Sequence, residues 1–439
     1  MLIFGYDFYS DEDFILKPNG TIDREDVIGE IFQLYLPPWW GHIFEKYDSE
    51  WKSWNVQSVD NLVKTQNGLI NKWMYILEPM GDSRGWFGKY NDGNPNKVKN
   101  FLDGISERAR YSIIDGDAVI LLWHAHEGPP INHININLYE EIYKELDRFG
   151  CKPNNFILAT GNMKSKQHYE EWKRDSDYSE REDINVIEFQ AQRHLDYTKK
   201  WEVADYNHEK KIKKKFLCFN RNLFHPHRLF LLTLLKEKNL LNEGMVSFDN
   251  INDSHREIFR NNLFGIFNLG KNLVNKHGKI LQDLQKDSPS IIDVDEWETN
   301  HYDTSPKWPY EQTFFSLVSE SHFFQDTLFL SEKVWKAISN HHPFIVIGNY
   351  GTLKNLKERG FKTFSPFIDE SYDLEKNPYR RLVKIVNEVE RLCNLNDDEV
   401  KDLIIKTEKN VKYNFDKLVN DNEIIKTDLV DKLMEFVRK

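Results

Sequence analysis

The sequence predicts an α/β protein built of two Rossmann-like domains facing across a cleft, with C-terminal helices. Short apolar runs rich in β-branched residues, such as Ala118–Trp123 and Phe344–Ile347, alternate with amphipathic stretches of helical spacing. The 439 residues suffice for two domains of ordinary size. A charged tract ending in KKIKKK gives way abruptly to apolar residues at Phe216, which places the domain junction near 205–215. The expected domains are 1–205 and 215–375, with helices over 376–439 packing on them.

Met1–Tyr6 reads as the first strand and Lys72–Leu77 as another, running into the glycine-punctuated EPMGDSRGWFG. Ala118–Trp123 is a strand that ends in HAHEGPP. Asn137–Phe149 is an amphipathic helix closed by Gly150, with strands following at Phe156–Ala159 and Ile184–Phe189. The charged runs Lys164–Asp183 and Lys199–Lys215 read as solvated linker. Phe216–Phe219 opens the second domain, and Pro226 starts a helix that continues through Leu229–Lys238. Strands are expected at Met245–Phe248 and Phe314–Val318, and residues 250–310 are the least regular. Two or three amphipathic helices run from Tyr379 to the end.

Seven of the twelve tryptophans fall within the first 123 residues, and most are expected to pack in the core because of the area each ring buries. The formal charge of −11 argues against a general nucleic-acid coat or a basic membrane-surface protein, although a local basic groove is compatible with it. Cys151, Cys218 and Cys393 lie far apart, with no CxxC, so neither a disulfide framework nor structural zinc is expected. The first residues lack the basic start of a signal peptide, and no apolar run is long enough to span a membrane. A cytoplasmic protein is expected.

The stretch FLSEKVWKAISNHHPFIVIGNYGTL, Phe329 to Leu353, holds the strongest local signal. Ser331 is a suitable N-cap, and Val334, Trp335, Ala337 and Ile338 form one apolar helical face. Pro343 stops the helix, and Phe344–Ile347 reads as a strand covered on both faces. Gly348 and Gly351 bracket a turn, after which Thr352 can cap the next helix. Lys333 stands in the first turn of its helix, where the macrodipole disfavours a cation unless an anion binds there. The plain alternative is a solvated lysine paired with Glu332.

The helix at Pro226 repeats the pattern, with His227 and Arg228 in its first turn and Arg221 in the loop before it. Both helices follow expected strands and would open on one carboxyl edge, where ligands of open α/β sheets bind. Together Arg221, Arg228 and Lys333 would neutralise a diphosphate. Arg228 alone could instead pack its stem or pair locally.

SEKVWKAISNHHPFIVIGNYGTL resembles the donor-binding segment of GT-B glycosyltransferases of the fucosyltransferase type, in which a Glu-Lys pair opens a helix before an apolar strand ending in glycine. FFSLVSESHF is similar to the strand and polar loop that lead into it. The resemblance extends from FLCFNRNLFHPHR to GFKTFSPFIDESYD, over roughly residues 215–375, and includes glycosyltransferase-like proteins of bacteria and their phages. It implies that Lys333 contacts the donor diphosphate and Glu332 the ribose or the donor sugar. Arg221 or Arg228 would stabilise the leaving diphosphate, with Asn349 and Tyr350 near the nucleotide. The co-substrate would be a nucleotide-diphosphate sugar, with no cofactor.

Departure of a nucleoside diphosphate without a metal needs helix N-termini, Lys and Arg to stabilise the developing charge. Inverting transfer to an acceptor hydroxyl, on a glycan or another molecule, also needs a general base from the first domain. Glu127 is preferred, then Asp82; Glu78, His124 and His126 lie in the same strand-end loops. Asp293-Val294-Asp295 matches the DxD of metal-dependent transferases but falls in a long acidic loop, and HxH at His124 and His126 lacks a third ligand. No metal site is expected. No Walker loop, GxGxxG, GxSxG or HExxH occurs. The alternatives are a non-catalytic nucleotide-sugar-binding module and a phage enzyme that glycosylates modified DNA bases. The second needs a positive groove with Lys211, Lys213, Lys214 and Lys215 on its wall, so nucleic acid is not the favoured partner.

Overall fold

A computed structural model describes residues 1–6, 54–77, 102, 105–125, 128, 130, 132–133, 136–194, 203–292, 306–420 and 425–438. The chain divides into two compact units. The first comprises Met1–Leu195, Asp326–Phe329 and Asp421–Lys439; the second comprises Asp196–Gln325 and Leu330–Asn420.

The first unit contains the strands β1 (Leu2–Tyr6), β2 (Trp54–Ser58), β3 (Trp73–Leu77) and β4 (Ala118–His124). A two-stranded ribbon, β5 (Asn132–His133) and β6 (Ile136–Asn137), follows, and then β7 (Phe156–Thr160) and β8 (Asn185–Glu188). Six of them form a parallel sheet in the order β2-β1-β3-β4-β7-β8. Alternate residues supply its two cores, as the two-residue period of a strand requires. Trp73, Tyr75, Ile120 and Leu122 face one way, and Met74, Val119, Leu121 and Trp123 face the other. Every residue of β4 is buried because both faces are covered.

The first face is covered by helices α1 (Val59–Thr65), α2 (Glu107–Asp115), α3 (Leu138–Phe149) and α4 (Ser165–Arg174). The other packs Ile425, Leu429, Leu433 and Val437 from the C-terminal segment. There the Lys72 N–H donates to the Val437 carbonyl at 2.8 Å. β2, α1 and α2 are short and were not legible in the sequence; Ser58 and Ser106 cap the two helices. The expectation of solvated linker over Lys164–Asp183 is corrected by α4. Tyr169 and Lys173 are buried there, and the Lys173 ammonium pairs with Asp183 at 2.6 Å, which lets a charged helix lie against the core. Trp54, Trp73 and Trp123 are fully buried, and Trp39, Trp40, Trp51 and Trp86 lie outside the described residues.

The second unit has a four-stranded parallel sheet, built of β9 (Lys214–Phe219), β10 (Gly244–Ser247), β11 (Thr313–Ser319) and β12 (Phe344–Ile347) in the order β10-β9-β11-β12. Its longer helices are α5 (Pro226–Glu237), α6 (Asp253–Gly265), α7 (Lys271–Leu284), α8 (Glu332–Ser339), α9 (Thr352–Glu358), α10 (Pro378–Cys393) and α11 (Asp397–Val419). The last basic residues of KKIKKK are not linker. Lys214 and Lys215 begin β9, and their ammonium groups donate to the carbonyls of Asn242 and Leu395. The three cysteines are free and buried. Among the described residues no helix is long and apolar enough to cross a membrane.

Candidate anion-binding site at the carboxyl edge of the second sheet

The carboxyl ends of β9, β11 and β12 lead into the segments that carry the expected donor residues. β11 ends at Ser319, and Glu320 continues its line, the Glu320 N–H donating to the Ile347 carbonyl at 2.9 Å. Glu320 is 1% exposed. Its Oε2 accepts the Ser331 N–H at 3.0 Å, and its Oε1 has no hydrogen-bond partner among the described residues. Burial raises the Glu320 pKa above its ordinary value, and Lys333 and the Ser331 bonds only partly oppose this.

Ser331 caps α8, its hydroxyl accepting the Lys333 N–H, as the sequence predicts. Lys333 Nζ lies 2.7 Å from Glu332 Oε1 and 3.2 Å from Ser331 Oγ. The pairing with Glu332 is therefore present, but it is not a solvated one: the two side chains are 24% and 14% exposed. Burial opposes ionisation of Glu332, yet Lys333 and Lys336 outweigh it and hold the carboxyl below its ordinary value.

Arg228, in the first turn of α5, is buried and committed to backbone. Its Nη1 donates to the Asn222 carbonyl and its Nη2 to the Ser319 carbonyl, each at 3.1 Å, with the Glu320 carbonyl at 3.5 Å. The guanidinium thus ties the loop after β9 to the end of β11. Burial lowers its pKa, opposed by the charges of Glu332 and Glu320. Beside it His227 Nε2 meets the Glu320 carbonyl at 2.9 Å, the ring stacks on Phe323, and burial keeps the imidazole neutral.

Arg228, Glu320, Glu332 and Lys333 therefore form one cluster. Arg221 is half-buried in the loop that precedes it, and its carbonyl accepts the Asp249 N–H at 3.4 Å. Asn349 is buried, and its carbonyl accepts from the N–H and the hydroxyl of Thr352. Tyr350 is 37% exposed, with Lys376 5.5 Å above its ring. Gly351, at φ +82°, caps α9, and Thr352 is the first helical residue rather than the cap. The start of α9 already holds a carboxylate: Asp373 accepts the N–H groups of Leu353 at 2.9 Å and Lys354 at 3.0 Å.

Three residues of this edge were not singled out in the sequence: Glu320, Asp373 and Arg381. Glu320 was within reach of the strand-end rule that picks out Glu127, since it directly follows an apolar run. Arg381, on α10, donates to the carbonyls of Glu375 and Phe323 and lies 4.3 Å from the Phe323 ring, and no local pattern marks it. Glu127, Asp82, Glu78, His126, Asp293 and Asp295 lie outside the described residues. His124 is buried at the end of β4. Among the described residues no cluster of His, Cys, Asp and Glu could hold a metal ion.

The orphaned polar atoms give this edge its chemical meaning. Glu320 Oε1, Ser319 Oγ, Ser247 Oγ, Asn220 Oδ1 and Arg228 Nε are all buried here without a hydrogen-bond partner among the described residues. Buried polar groups are ordinarily paired, so such a concentration at strand ends suits a polar ligand.

No family model matches the chain, and no curated protein matches it. Solved structures are similar in outline. One is the DNA-modifying enzyme β-glucosyltransferase, determined with and without uridine diphosphoglucose, at 9% identity and a TM-score of 0.44 over 98% of this chain and 100% of that one. Another is α,α-trehalose 6-phosphate synthase from Burkholderia multivorans, at 8% identity and a TM-score of 0.37 over 94% and 77%. Likenesses at this level bear on neither the activity nor the site.

Proposed function

We propose that the carboxyl edge of the second unit binds the diphosphate of a nucleotide sugar and that the chain is a glycosyltransferase of the GT-B, fucosyltransferase-like type. The observation that carries this reading is the cluster of Lys333, Glu332, Glu320 and Arg228 around the start of α8, with orphaned buried polar atoms beside it. A diphosphate there would lie at the positive end of the α8 dipole and take the Lys333 ammonium, which it would draw from Glu332. Glu332 would then be available to the ribose or sugar hydroxyls. Arg228 enters this reading in a changed role: it holds the end of β11 in place and contributes charge through the cluster, while Arg221 would approach the leaving diphosphate.

As the sugar–oxygen bond breaks, negative charge grows on the diphosphate, and a preorganised cation and helix terminus stabilise it without a metal. The acceptor hydroxyl would lose its proton to a base in residues 1–205, Glu127 first and Asp82 second, with inversion at the sugar carbon. Asn349 and Tyr350 would lie toward the nucleotide.

A thermal-shift screen against a panel of nucleotide sugars, with and without EDTA, tests the reading, because a ligand of the folded state raises the melting temperature. A shift with one nucleotide class that survives EDTA is expected. No shift with any nucleotide or nucleotide sugar would sink the central claim, and a shift abolished by EDTA would sink metal independence. A ligand that binds without detectable transfer would turn the reading toward a non-catalytic module.

A further inference from the structure

We propose that a pocket at the amino edge of the second sheet is a separate binding site for a small carbonyl compound bearing an anionic group, which Lys210 holds as an imine. The pocket has a volume of ≈ 480 Å³ and is lined by Lys210, Tyr310, Phe314, His341, Ile404 and Val411, among others. That volume is in the range of small-molecule sites. Three further lining residues, Lys213, Gln312 and Pro343, immediately precede β9, β11 and β12, so the pocket opens at the end of the sheet opposite to Glu320 and Lys333. It is independent of the donor reading.

Lys210 Nζ donates to the Tyr310 carbonyl at 3.2 Å and makes no ion pair among the described residues. A half-buried ammonium with one neutral acceptor is poorly compensated, and its desolvation favours the neutral form. The Lys210 pKa accordingly falls to about 7, against the opposing pull of Glu311. The other charged or titratable groups on the lining are Asp205, Tyr206, Lys211, Lys213, His341 and the Tyr310 phenol. His341 stacks on Phe415 and is kept toward its neutral form by burial. Lys211 and Lys213 supply the positive charge for an anionic substituent, and Phe314, Ile404 and Val411 supply the apolar wall for the carbonyl's carbon frame. A lysine that served only to brace the Tyr310 carbonyl would need no cavity beside it.

The chemistry is condensation. The neutral Nζ adds its lone pair to the carbonyl carbon, the carbonyl oxygen leaves as water with the two amine protons, and a C=N bond remains. No oxidant or reductant is consumed.

Pyridoxal 5′-phosphate, an aldehyde with a phosphate, is a suitable probe, with borohydride trapping and peptide mass mapping of the whole protein. Lys210 is expected to be labelled about tenfold or more faster than any other lysine, with a rate that rises through a midpoint near neutral pH. Propionaldehyde, which lacks the anion, is expected to label it more slowly. Labelling spread over the surface lysines with Lys210 no faster, or a Lys210→Met chain that takes up the first equivalent as fast as its parent, overturns the proposal. Equal rates with the two aldehydes overturn the anionic requirement. Should Lys210→Met fail to fold, the map of the unaltered protein decides alone.

Discussion

Glu320 Oε2 accepts the Ser331 N–H at 3.0 Å, so a buried carboxyl at the end of β11 is joined to the cap of the helix that carries Lys333. The bond makes the strand end and the helix start one rigid corner. Neither residue catalyses anything by this contact; it sets where the Lys333 ammonium and the N-terminus of α8 stand.

Lys333→Ala is expected to weaken binding of the stabilising nucleotide sugar by roughly 10- to 100-fold, the loss of a charge-assisted hydrogen bond of about 1.5–3 kcal/mol. The melting temperature of the free protein should fall as well, because loss of the ammonium leaves the largely buried Glu332 carboxyl without the cation that favours its ionised form. Calorimetric titration that gave unchanged affinity would refute the role of Lys333.

Glu320 makes a signed prediction about pH. Its carboxyl is raised in the folded state by burial, so the folded protein holds that proton when the unfolded chain has released it. The stabilisation is complete below the ordinary value of 4.5 and is lost as pH rises through the raised folded value. Glu320→Gln stays neutral and keeps an oxygen for the Ser331 N–H. The melting temperature of the variant should therefore gain on the parent as pH rises above that ordinary value. Melting curves that ran parallel across pH would show that Glu320 does not titrate in this way.

Arg228→Lys separates support from ligand contact. One ammonium cannot reproduce the fork that meets the Asn222 and Ser319 carbonyls, and a buried carbonyl left unpaired costs about 1–3 kcal/mol. Urea unfolding should show a loss of this size without added ligand. An equally stable variant would contradict the strut role.

Asp373→Ala removes the carboxyl that takes the Leu353 and Lys354 N–H groups at the start of α9. A lost cap of this kind costs about 0.5–2 kcal/mol. The loss should be larger than for a neighbouring exposed position such as Leu374, which is 70% exposed. Equal stability of the two alanine variants would count against the cap.

Much of the second unit was legible from local pattern. The Ser331 cap, the α8 face, the buried β12 run and the Pro226 start all depend on residues within a few positions of one another, where periodicity and capping chemistry act. The parallel α/β class followed from the same alternation. The charge density of α4 suggests a solvated run, whereas its long charged side chains lay their stems on the core and bond at the rim.

By itself, then, the sequence determined the alternation of strand and helix and the two helices that begin with cations. Tertiary structure alone decided what those cations do. Arg228 is committed to the carbonyls of a strand some ninety residues away, and Lys333 shares its corner with a carboxyl from that same strand end. It likewise gave the start of α9 to Asp373 and sent the last helix, Asp431–Val437, to the first unit. The reason is physical. Propensity and capping act along a few residues of chain, whereas the pairing of a buried charge is settled by whichever distant polar group the packed sheet brings within hydrogen-bond reach.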